Sequence, residues 1–234
     1  MLGKFRVEYP GDIYNFSLCK KYKLSSETLT ELKNKTYMDH EVGGIINFKV
    51  KEKEEIKYLF NGGENRIKLD MEERGTQILF HTHPRDKEEG NLYDPPSPLD
   101  IVSFLGLTIT YLANEYLDKV KGIEQPEDDP LQVQVSAVFT KNEVYTYYLS
   151  SFLIERIKDV LLRIDEGCES VPEFIEKCEG LLSEVNEEYL SLLSPYNNSH
   201  ISSSEIDEYI DFLSNHGILL QRFTYSSQEF YIYF

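Results

Sequence analysis

The spacing of apolar and polar positions divides this chain into a first part dominated by strand-like runs and a second part dominated by helical stripes. After a short strand-like piece, Ser25-Ser26-Glu27 opens a helix to about Lys33, with serine as N-cap and glutamate in the first turn. From Glu41, residues 42–50 (VGGIINFKV) read as a strand whose paired glycines let another backbone or a ligand approach closely. Two further strands, over 56–60 and 66–69, flank the turn Asn61-Gly62-Gly63. The apolar run 76–81 (TQILFH), between Gly75 and Pro84, predicts a buried central strand that ends in histidine. A polar, proline-closed loop over 85–96 follows. Ile101, Val102, Leu105, Ile109, Leu112, Ala113 and Tyr116 then recur at helical spacing to about Lys119.

Residues 122–130 (GIEQPEDDP) break the pattern, and Val133, Val135, Ala137 and Phe139 alternate with mostly polar neighbours as a strand does. Lys141-Asn142 turns the chain into another strand over 144–149. Beyond Ser150 the texture becomes helical. One apolar stripe runs through Phe152, Leu153, Ile157, Val160, Leu161 and Ile164, and a second through Phe174, Cys178, Leu181, Leu182, Val185 and Tyr189, which predicts an antiparallel helical pair. A third helix, opened by Ser202–Ser204 and closed at Gly217, precedes two strands, 218–224 and 230–234, expected to form a hairpin. A helix followed by a hairpin is also the outline of a winged-helix module. The expected fold is α/β or α+β, with a first domain over 1–150 and a helical C-terminal region over 151–234 that ends in a β-hairpin and has no assigned role.

Composition narrows the function classes. With 41 acidic against 24 basic side chains the formal net charge is -17, a field that repels phosphate backbones and anionic lipid headgroups, so neither nucleic acid nor a membrane is an expected partner. The same charge argues against reading the C-terminal outline as a DNA-binding module. Cys19, Cys168 and Cys178 form no CxxC pair and leave an odd thiol, which suits a reducing compartment, cytoplasm or nucleus. The N-terminal residues lack the apolar core of a signal peptide, and the most apolar stretch, 101–113, is interrupted by Ser103, Thr108 and Thr110. Frequent Tyr, Asn and Ile fit an AT-rich coding sequence, such as that of a large DNA virus or a protist.

The candidate chemistry gathers at the end of the central strand. His81 and His83, one residue apart, project from the same face of an extended chain, where two imidazoles reach one ion. A catalytic zinc takes three protein ligands and leaves one position for water. Asp100, in the first turn of the next helix, supplies a third donor, and a strand-loop-helix connection brings that turn back beside the strand end. Glu41 enters a glycine-bearing strand able to pair with the histidine strand, which makes it a candidate acid/base. Ser97 lies three residues before Asp100, placed to steady an oxyanion. Ser97-Pro98-Leu99-Asp100 is equally a plain helix start, with Ser as N-cap, Pro at the first helical position and an acidic residue at the third. His40, His200 and His216 read as structural, and the cysteines as small buried apolar residues.

Taken together in this order, Glu41 with its glycine-bearing strand, His81-Thr82-His83-Pro84 and Ser97-Pro98-Leu99-Asp100 resemble the JAMM/MPN (JAB/Mov34) zinc metalloprotease signature: a distant Glu, H-[ST]-H-P and S-x-x-D. The resemblance covers about residues 35–150. It implies a curved mixed sheet flanked by helices, of the cytidine-deaminase-like type, and hydrolysis of isopeptide or peptide bonds, with ubiquitin or a ubiquitin-like conjugate as substrate. It further implies that His81, His83 and Asp100 bind Zn2+, that Glu41 is the acid/base and that Ser97 steadies the oxyanion. Sixteen residues separate His83 from Asp100, whereas the family pattern has about ten; loop-closure entropy rises only slowly with length, so around six extra residues need not break a site. Two other readings stand beside this one: a non-catalytic scaffold or binding module of the same fold, and a zinc hydrolase of an unrelated amide.

Overall fold

The computed structural model describes residues 19–48, 54–61, 76–84, 93–120, 133–197, 201–226 and 229–233. In chain order its elements are β1 (Cys19–Lys23), α1 (Ser26–Lys35), β2 (Val42–Phe48), β3 (Glu55–Asn61), β4 (Thr76–Thr82), α2 (Pro98–Val120), β5 (Val133–Phe139), β6 (Glu143–Leu149), α3 (Ser151–Glu166), α4 (Val171–Leu193), α5 (Ser203–Asn215), β7 (Ile218–Thr224) and β8 (Glu229–Tyr233). The strand expected over 66–69, the loop 85–92 and the acidic breaker 122–130 lie outside the described residues.

Six strands form an open mixed sheet in the order β3-β2-β4-β5-β6-β7. β2 lies antiparallel between β3 and β4, while β4 and β5 run parallel, the pairing that needs a crossover and is served here by α2. The fold is therefore mixed α/β, as the pattern of elements implies.

The sheet is covered on both faces because its strands alternate apolar residues toward each. Ile78 and Phe80 of β4 join Val135, Ala137 and Phe139 of β5 under Leu29 and Leu32 of α1. On the opposite face Val138, Tyr145 and Tyr147 pack with Ile101, Phe104, Leu105 and Ile109 of α2, and the same cluster continues into α3, α4 and α5 through Leu153, Ile157, Phe174, Val185, Tyr209 and Leu213. Burying side chains of this size removes about 1.5–3 kcal/mol each from water, so α2 is held from two sides, by the sheet and by α4.

The two strands expected as a C-terminal hairpin both exist, but they do not pair with each other. β7 instead zips along β6 over seven residues, from Glu143↔Thr224 to Leu149↔Ile218, and β8 pairs with β1 in a separate two-stranded sheet. Every residue of β6 is buried, so leaving its edge open would strand unpaired backbone groups in a covered setting, and β7 satisfies them. With no hairpin after α5, the winged-helix outline does not form. The turn from α5 into β7 uses Gly217 at φ 80, a left-handed conformation that glycine tolerates, and its carbonyl accepts from the Ser150 N–H at 2.8 Å. No helix among the described residues is long and apolar enough to cross a membrane.

Candidate metal centre

The sheet itself sets the position of the histidines. On β4, Ile78 and Phe80 point to the α1 face, so His81 points to the α2 face with Leu79. His83 continues the strand one step past its assigned end, its N–H donating to the Phe139 carbonyl at 2.9 Å. The two rings therefore converge, with Nε2 atoms 3.0 Å apart.

Asp100 arrives from the first turn of α2. Its Oδ1 lies 3.3 Å from His81 Nε2 and its Oδ2 3.7 Å from His83 Nε2. Asp100 presents a different oxygen to each ring, and with one donor atom taken from each residue the three lie within 4.8 Å of one another, a grouping compact enough to share one ion. The side chains are 12 %, 12 % and 23 % exposed, which shields the site yet leaves one side open. This His-His-Asp group can hold a metal ion, and among the described residues no other group of three such donors converges in this way.

Ser97 positions Asp100. Its hydroxyl accepts from the Asp100 N–H at 3.2 Å, and both its hydroxyl and its own N–H donate to Asp100 Oδ2 at 2.7 Å. The reciprocal pattern is a capping box that turns the aspartate inward. In this structure the hydroxyl is committed to the carboxylate.

The charges at the site are tightly linked. Burial works to raise the pKa of Asp100, but the His81 and His83 imidazoles beside it outweigh burial and hold the carboxyl well below the usual range. Burial likewise opposes protonation of His83, yet the carboxylates of Asp100 and Asp94 prevail and push the imidazole up to about 10. A metal-free site therefore keeps a proton that an incoming cation must displace.

Glu41 is brought to the same end of the sheet by register. β2 and β4 pair Gly43 with His81 at the end of their ladder, and Glu41 lies two residues before Gly43, just ahead of β2. Thr82, fully buried, fixes this end by accepting from the Val42 N–H at 2.9 Å. The Glu41 side chain is exposed. Beside it, Gly44 sits at a bulge where an added Cβ would collide with the Lys57 carbonyl, so glycine is required there for backbone approach.

One further acidic residue beside the histidines escaped the sequence reading. Asp94 places Oδ1 3.2 Å from His83 Nδ1, off the line of a hydrogen bond, and this buried nitrogen has no other partner. The signal was faint: a carboxylate just before the two prolines that precede α2. The remaining described residues keep bland roles. His216 Nδ1 meets the Phe212 carbonyl at 2.7 Å at the end of α5, His40 pairs with Asp39, Cys178 is buried in its helix and Cys168 is partly buried. Cys19 lies in β1, and His200 falls outside the described residues. No family model, curated protein or solved structure matches this chain.

Proposed function

We propose that the chain is a zinc-dependent isopeptidase or peptidase of the JAMM/MPN type that removes ubiquitin or a ubiquitin-like modifier. The observation that carries the reading is the grouping of His81, His83 and Asp100, with one donor atom from each lying within 4.8 Å of the others. Two imidazoles and one carboxylate suit zinc with a position left for water. Zinc held there supplies a Lewis acid that draws the ionisation of a water toward neutral pH.

The chain's own groups divide the remaining work. Glu41, exposed just ahead of β2, takes the proton of the attacking water and returns it to the leaving amine. Asp100 and the two histidines, three-quarters or more covered, hold the charge in a setting where electrostatic effects are stronger than in water. Ser97 steadies the oxyanion only by turning its hydroxyl away from Asp100, so in the resting state it serves as the cap. The acidic surface suits a basic ubiquitin-like partner.

Elemental mass spectrometry on the full chain purified without added metal, wild type beside Asp100→Ala, tests the site. One zinc per wild-type chain that is lost in the variant is the expected result, followed by cleavage of ubiquitin chains. No zinc in either protein would favour a scaffold or binding module, and zinc without cleavage of any ubiquitin-like conjugate would favour a hydrolase of another amide.

A further inference from the structure

The segment 93–96, which carries Asp94, is tied to the C-terminal part of the chain on both sides of that residue. Tyr93 and Ile201 exchange two backbone hydrogen bonds, at 3.0 and 3.2 Å, as an isolated antiparallel bridge. The Tyr93 ring lies 4.5 Å beneath the guanidinium of Arg222, which is itself held by a 2.9 Å bond to Glu143. Two positions beyond Asp94, the Pro96 carbonyl accepts from the buried Tyr209 hydroxyl at 3.2 Å. Pro95 and Pro96 are buried and have fixed φ, which removes most of the freedom left between the ties. Asp94 is thus the one acidic residue of a short segment anchored before and after it, and its carboxylate is 17 % exposed beside His83 Nδ1.

An imidazole that offers Nε2 to a metal must carry its proton on Nδ1, and a buried Nδ1–H needs an acceptor. From these ties we propose that Asp94 is a positioning residue that sets the tautomer and ring orientation of His83, and that the C-terminal segment around Ile201, Tyr209 and Arg222 exists in part to hold it there. This gives the region beyond residue 150 a role at the metal centre without direct contact with the metal. The inference rests on the metal-binding reading of His81, His83 and Asp100 given above.

Cobalt(II) titrated into the metal-free full chain, followed by its visible absorption bands, provides a readout independent of turnover. Asp94→Ala is expected to weaken cobalt binding about 10- to 100-fold and to shift the bands, because losing an outer partner of a ligating histidine has effects of that size. Asp94→Asn, which keeps an acceptor oxygen without the charge, should fall between Ala and wild type. If Asp94→Ala does not fold by circular dichroism, Asp94→Asn decides. Unchanged affinity and unchanged bands in the folded variant would overturn the assignment. Tyr209→Phe should weaken binding about threefold, the value of one modest hydrogen bond, and unchanged binding there would overturn the part given to the C-terminal segment. Failure of the wild type to bind cobalt at all is a different result, and would bring down the metal site itself.

Discussion

Replacing Ser97 with alanine removes one oxygen that takes part in two interactions. The hydroxyl accepts from the Asp100 N–H at 3.2 Å as an N-cap and donates to Asp100 Oδ2 at 2.7 Å. Losing a serine cap costs about 1 kcal/mol. The lost bond to the carboxylate adds about 1 kcal/mol, the lower part of its range, because the Ser97 N–H still donates and Asp100, 23 % exposed, can take up water. For a chain of this length, about 2 kcal/mol lowers the melting temperature by about 4–8 °C. A looser Asp100 should also weaken metal binding about tenfold or more. Calorimetry and a competitive chelator titration on Ser97→Ala, with Ser97→Thr retaining the hydroxyl as control, read both effects. Unchanged melting and unchanged metal affinity in Ser97→Ala would refute the capping argument. If these were accompanied by about a hundredfold loss of turnover, the hydroxyl would serve the oxyanion instead.

Glu41→Gln keeps the shape of the side chain and removes its basicity; metal content should stay at the wild-type level while turnover falls about 10²- to 10⁴-fold, and retained turnover would exclude Glu41 as acid/base. The stability of the metal-free protein should depend on pH in a defined window. His83, raised from its ordinary 6.5 to about 10, contributes stability that is fully present below about pH 6.5 and is lost as pH climbs toward 10. Asp100, depressed from 3.8, contributes stability that is present above that value and is lost as pH falls below it. Urea midpoints should therefore be highest between about pH 4 and 6.5, and a flat profile across pH 6–10 would contradict the charge linkage at the site. Gly217→Ala should cost about 1–3 kcal/mol by chemical denaturation, since φ is 80 there and an added Cβ would come within 2.9 Å of Leu153 Cβ; a neutral substitution would argue against the left-handed turn.

What the chain announces by itself is local. The alternation in 133–139, the helical recurrence from Ile101 and the serine starts at 25, 97 and 202 depend on neighbours a few residues away, so each element is legible before any packing is known. The site residues share that property in part. His81 and His83 face the same way because a strand has period two, and Asp100 points inward because Ser97 caps its helix.

Partner choice is not local. Whether β7 pairs with β8 or with β6 depends on which edges meet in the folded chain, and β7 meets the full length of β6. Asp94 in a polar loop carries no pattern; it gains a role only when the Tyr93–Ile201 bridge and the Tyr209 hydroxyl, more than a hundred residues away in the chain, press its loop against His83. The candidate donors could be read from spacing because the backbone imposes it, whereas the carboxylate beside His83 had to wait for the tertiary structure, because contact between distant segments leaves no periodic trace in either one.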